Sequence, residues 1–136
     1  MGGPSVKGLL LDTHIWFWYL TGSPRLPVRV RDLISHSLED CWVSPISVWE
    51  LGMLAAKGRI LLDREFGSWL AMALEAMPVK DAALTRAAAL RSREIELPHR
   101  DPADHFLAAT AQIYGLTLVT VDRHLRDLDF VQTFSG

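Results

Sequence analysis

Asp101 and Asp104 stand three residues apart in the stretch Pro98-His99-Arg100-Asp101-Pro102-Ala103-Asp104-His105, at the mouth of an otherwise apolar segment. Asp101 followed by Pro102 has the form of a helix N-cap with proline in the first helical position, where a missing N–H costs nothing. Asp104 is then the third helical residue. Phe106, Leu107, Ala109 or Thr110, and Ile113 continue at helical spacing, which predicts a helix that buries one side. Taken alone the pair needs no chemistry, since Asp101 caps and Asp104 complements the positive end of the helix dipole. Three other acids change the weighing because they occupy equivalent chain positions. Asp12 ends the apolar run Leu9-Leu10-Leu11, Asp122 ends Leu118-Val119-Thr120-Val121, and Glu50 lies in the first two turns of a further helix.

The elements that must position these acids alternate between strand and helix. Residues 6–11, 41–43 and 116–121 read as short strands, with a final edge strand over 130–134. Between them fall helices over 13–20, from Val28 to Leu38, from Ser44 or Ser47 to Lys57-Gly58, from Asp63 or Arg64 to Met77, and over 82–95. If Ser47 caps the third helix, Ser47-Val48-Trp49-Glu50 is a capping box and explains the glutamate. If Ser44 caps it with Pro45 at the first position, Glu50 is too deep to cap. Right-handed crossovers make such strands parallel, so strand carboxyl ends and helix amino ends share one edge, where ligand sites form. Carboxylates meeting there repel one another and raise one another's pKa unless a divalent cation neutralises them. Hard oxygen donors without cysteine or a histidine pair point to Mg²⁺ or Mn²⁺ rather than zinc. Phosphodiester hydrolysis is the chemistry that suits such a cluster.

The 136 residues suffice for a single domain, 1–136, with a substantial core. Residues 1–5 are rich in glycine and proline and are expected to be disordered. The one cysteine, Cys41, excludes an internal disulfide and fits a reducing cytoplasm. No apolar run is long enough to span a membrane. A net charge of −2 argues against a general polyanion binder, although eleven of the fourteen basic residues are arginine. Arg100 and Arg123 lie beside the acids and are the expected phosphate contacts. The aromatic run Trp16-Phe17-Trp18-Tyr19 reads as core packing rather than a base-stacking platform.

Four blocks carry a family resemblance: Leu10-Leu11-Asp12-Thr13-His14, Ser47-Val48-Trp49-Glu50-Leu51, the segment from His99 to Ala111, and Leu118-Val119-Thr120-Val121-Asp122. In this order and spacing they resemble the PIN-domain ribonucleases, and among these the VapC-type toxins of VapBC toxin–antitoxin pairs. The resemblance implies an α/β fold, a three-layer α/β/α sandwich with a short, mainly parallel central sheet. It implies a Mg²⁺-dependent endoribonuclease, restrained by a VapB-type antitoxin and assembled as a homodimer. Asp12, Glu50, Asp104 and Asp122 carry over as the acidic site, with Asp12 and Asp104 as direct metal ligands. Thr13 and Thr120 match polar positions that line such pockets, and Asp101 is kept as a helix cap. Trp49, Met53 and the helix from Phe66 to Leu74 read by default as core packing, and the resemblance implies instead that they form a groove for an antitoxin helix, a choice the residues alone leave open.

Other enzyme classes fit less well. A haloacid-dehalogenase-type phosphatase needs a second aspartate where this chain has His14, and no glycine loop cradles a nucleotide phosphate. The alternative of substance is a catalytically silent module of the same fold that binds RNA or a protein partner.

Overall fold

The computed structural model describes residues 8–97 and 101–136. The expectation of disorder over residues 1–5 and the candidate phosphate contact Arg100 both lie outside the described residues. The described residues form a five-stranded sheet in the order β3-β2-β1-β4-β5, with every neighbouring pair parallel. The strands are β1 (Leu9–Leu11), β2 (Cys41–Val43), β3 (Lys80–Asp81), β4 (Thr117–Val119) and β5 (Thr133–Phe134). The helices are α1 (Thr13–Thr21), α2 (Val28–Ser35), α3 (Pro45–Ala56), α4 (Phe66–Ala76), α5 (Arg86–Glu94), α6 (Pro102–Tyr114) and α7 (Arg123–Arg126).

Side chains alternate across the sheet, and helices cover both faces. Leu9, Leu11, Cys41, Val43 and Val119 pack with Ile15 and Trp16 of α1, Val30 and Ile34 of α2 and Leu51 of α3. Leu10 and Leu118 face the other way, onto Leu107, Ala108 and Ala111 of α6 and Leu125 of α7. This is the expected three-layer arrangement. It also explains why β1 is an unbroken apolar run, since all three of its leucines are fully buried. The Cys41 thiol is buried with them, which pushes its pKa up to about 11 and leaves it protonated and inert.

Several boundaries differ from those the sequence predicts. Lys80–Asp81 pairs with Trp42 and Val43 as an edge strand, where a loop running into a helix was expected. Both residues are exposed and charged, so pairing alone defines this strand and no apolar alternation announces it. Helix α5 accordingly starts later, capped by Thr85, whose hydroxyl accepts from the Ala88 N–H at 3.1 Å. Helix α4 starts at Phe66 because the Glu65 carboxylate accepts from the Ser68 N–H at 2.8 Å. In α6 the buried face runs through Ala103, Asp104, Leu107, Ala108 and Ala111, while Ile113, expected inside, is 45% exposed. Gly22 and Gly115 close α1 and α6 in the left-handed region, with φ of 66° and 68°. Among the described residues no helix is long and apolar enough to cross a membrane.

The orientation of α6 generates a paired prediction. Leu107→Ala removes a fully buried side chain and should lower unfolding free energy by about 2–5 kcal/mol in urea denaturation. Ile113→Ala should stay within about 0.5 kcal/mol of wild type. Equal losses would show that α6 is rotated from the orientation described.

Candidate active site

Strand order reverses at β1, whose neighbours are β2 on one side and β4 on the other. In open parallel sheets the carboxyl end of such a reversal is where the connections diverge and leave a crevice. Asp12 follows β1 at this point, and Thr120 to Asp122 follow β4.

Asp12 is the N-cap of α1 and only 8% exposed. Its Oδ1 accepts from the Thr13 N–H at 2.7 Å, and its Oδ2 accepts from the Thr120 hydroxyl at 2.7 Å. The Asp12 N–H itself donates to the Val119 carbonyl at 3.0 Å, so backbone and side chain are both pinned across the β1–β4 junction. Burial pushes the carboxyl pKa up from 3.8 to about 6. The hydrogen bond from Thr120, the positive charge of His14 and the Thr13 N–H pull it back, while the nearby Glu50 carboxylate adds to the rise. No lysine or arginine among the described residues contributes to its neutralisation.

Thr120 ties a second acid to the first. Its hydroxyl oxygen accepts from the Asp122 N–H at 3.0 Å while its proton goes to Asp12. Asp122 caps α7, its Oδ1 accepting from the His124 N–H at 2.8 Å, and Arg123 stands exposed beside it. The cap is a role for Asp122 that the strand-end pattern did not reveal.

Glu50 is carried by α3, and Ser44 is the residue that caps this helix, with Pro45 next and the Ile46 N–H donating to its hydroxyl at 3.1 Å. Glu50 therefore lies beyond the reach of a capping box. Ser47, considered in the sequence only as a cap, is fully buried, and its hydroxyl accepts from the Thr13 hydroxyl at 2.8 Å. That bond ties the first turn of α1 to α3 and sets Glu50 relative to Asp12. The available signal was the spacing of Ser44, Ser47 and Leu51, which puts a polar side chain on the inward stripe of a helix starting at Pro45.

Asp101 caps α6 as expected, its Oδ1 accepting from the Ala103 N–H at 3.0 Å. Asp104, in the first turn of α6, is only 6% exposed. Glu50 and Asp101 line one cleft of about 350 Å³ between α3 and the start of α6, together with Ile46, Trp49, Met53, Pro102 and Ala103. Trp49 stands 61% exposed at this cleft, and in the expected groove helix Phe66, Trp69 and Leu70 pack partly against the core while Met72 and Leu74 are exposed.

The structure thus joins Asp12, Thr13, Thr120 and Ser47 by hydrogen bonds, puts Glu50 within electrostatic reach of Asp12, and sets Glu50 and Asp101 on one cleft. Among the described residues no group of three or more His, Cys, Asp or Glu side chains could by itself hold an ion. Mg²⁺ does not require one, because it binds through one or two carboxylates and keeps several waters. The donors fit a hard cation in kind. Asp12 is a desolvated carboxylate beside a second carboxylate, and each of its oxygens keeps a lone pair beyond its single hydrogen bond.

Comparison with known proteins identifies the family. Residues 9–131 match the PIN domain family model. Ribonuclease VapC22 of Mycobacterium tuberculosis is 36% identical over 121 residues, covering 87% of this chain and 89% of that protein. The crystal structure of FitAcB from Neisseria gonorrhoeae superposes with a TM-score of 0.65 at 25% identity, covering 93% of this chain and 96% of that one. VapBC2 from Rickettsia felis, crystallised with a DNA fragment from its promoter, gives a TM-score of 0.69 at 15% identity, covers 93% and 96% of the two chains, and shows the fold alone. The chain is a member of the PIN-domain family, closely related to the VapC-type toxins.

Proposed function

We propose that the chain is a divalent-metal-dependent endoribonuclease, the toxin of a type II toxin–antitoxin pair. The observation that carries this proposal is the clamped Asp12 carboxylate, buried at the sheet's reversal point within electrostatic reach of Glu50 and, among the described residues, with no lysine or arginine acting on it. Asp12 and Asp104 are the residues that would hold Mg²⁺, with Mn²⁺ able to substitute. A hard cation there would supply charge opposite the phosphate oxygens and make a water more acidic. Thr120 and Thr13 fix the direction of the Asp12 oxygens. Glu50 and Asp122 orient the attacking water, Arg123 holds phosphate at the rim, and Asp101 acts as a helix cap. The relatives crystallised as toxin–antitoxin assemblies support a VapB-type antitoxin partner and a homodimer.

Cleavage of a mixed RNA pool in Mg²⁺ tests the acids. Asp12→Asn and Asp104→Asn should lose at least about a hundredfold in rate, and Glu50→Gln and Asp122→Asn about ten- to a hundredfold. Asp101→Asn keeps the cap and should stay within a few-fold of wild type. Metal-dependent cleavage by a fully folded Asp12→Asn protein would overturn the assignment. RNA binding by a wild type that never cleaves in Mg²⁺ or Mn²⁺ would establish the silent module instead.

The buried charge has its own signature in stability. A carboxyl pKa raised on folding favours the protonated form, so the contribution of Asp12 is fully present below about pH 4 and is lost as pH rises through about 6. The loss is at most about 3 kcal/mol. In EDTA, Asp12→Asn should therefore gain stability relative to wild type as pH rises from 4 to 7, and Mg²⁺ should narrow that gap by stabilising wild type. A gap independent of pH would contradict the desolvated carboxylate.

Arg123→Gln should weaken RNA binding more at low salt than at high salt. An equal loss at both would remove it as a phosphate contact.

A further inference from the structure

A second concavity, of about 560 Å³, opens beside the site described above and is lined among others by His14, Phe17, Trp18, Arg25, Arg59 and Ile60. We propose that it is the subsite for a nucleotide flanking the scissile phosphodiester, with its base against Trp18 and His14 and its backbone phosphates on Arg25 and Arg59. The proposal deepens the nuclease function by giving the single strand a path away from Asp12.

Continuity with Asp12 comes from α1. His14 follows Asp12 by two residues and its charge acts on that carboxyl, and Trp18 lies one turn further along the same face. The His14 and Trp18 rings are 5.8 Å apart and tilted by 51°, leaving an angled aromatic wall rather than a closed stack. Phe17, behind this wall, is held by Trp69 at 5.8 Å. The aromatic run read in the sequence as core packing does pack there, Trp16 fully buried and Phe17, Trp18 and Tyr19 half-buried against the same core, and Trp18, together with the exposed His14, also lines the cavity.

Charge selects the occupant. Arg25 and Arg59 are both exposed, and the ion pairs of arginine among the described residues are those of Arg64 with Asp63 and Arg91 with Glu94. Among the described residues neither cavity guanidinium is matched by a carboxylate. Two unneutralised guanidinium groups flanking aromatic rings fit single-stranded nucleic acid, which supplies phosphates and base faces together. An apolar helix would leave both cations unanswered. The volume lies within the roughly 300–1,000 Å³ usual for small-ligand clefts.

The test is fluorescence anisotropy of the full chain with a short labelled single-stranded RNA of mixed sequence in EDTA, so that binding is read without cleavage. The double variant Arg25→Gln, Arg59→Gln should bind at least about tenfold more weakly at low salt, and the slope of log affinity against log salt should fall by about 1.4. Trp18→Leu should lose about five- to a hundredfold with an unchanged slope, and Trp18→Phe should recover part of that loss. Circular dichroism checks that each variant is folded. Wild-type affinity in the double variant, or no RNA binding by wild type, overturns the subsite, and the former result gives the cavity to a protein partner. RNA bound through these side chains but left intact in Mg²⁺ would refute the nuclease function and leave the subsite standing.

Discussion

One carboxylate is held where a charge is expensive to hold. Asp12 is desolvated between β1 and β4, and the Thr13 N–H and the Thr120 hydroxyl compensate only in part, so its pKa still rises to about 6. Replacing it with an apolar residue would relieve that cost, but nothing in the packing of the sheet demands an acid at this position. A buried charge left partly uncompensated makes this position a functional-site candidate. The neighbouring residues conform to it. Thr120 spends its proton on Asp12 and its lone pair on the Asp122 backbone, and Thr13 spends its hydroxyl on Ser47.

The sheet exists in a form that serves this clamp. Its strands are two or three residues long, enough to fix register but little more, and helices covering both faces supply the hydrophobic core. Short strands bring helix amino ends close to the sheet edge, which is why Asp12 before α1, Thr13 in it, Ser47 in α3 and Thr120 after β4 are linked by hydrogen bonds. Two of the candidate site acids, Asp12 and Asp122, cap helices as well, so local folding and the candidate chemistry place compatible demands on the same side chains. This double use explains why capping alone cannot distinguish a functional acid from a structural one.

Much of this was legible in the residues. The apolar runs at Leu9-Leu10-Leu11 and Leu118-Val119 signalled buried parallel strands, and Asp101-Pro102 signalled the start of α6. The order of the strands put Asp12 and Asp122 just beyond the carboxyl ends of two neighbouring strands, β1 and β4. Features defined by pairing or by neighbours escaped. Lys80–Asp81 is a strand only because Trp42 and Val43 are beside it. Ile113 faces solvent because the sheet side of α6 is set by Leu107, Ala108 and Ala111, a choice its own periodicity left open. Ser47 could be a cap or a buried link until Ser44 took the cap.

The hydrogen bond between Asp12 and Thr120 joins residues 108 positions apart. During synthesis β1 emerges before both of its neighbours, and β4 follows only after α6. Closing so long a loop is slow, and no local segment can substitute for it. A nascent polypeptide still tethered to the ribosome before β4 and Thr120 have emerged holds Asp12 with only its local Thr13 bond, so the site takes shape only after that strand has been made.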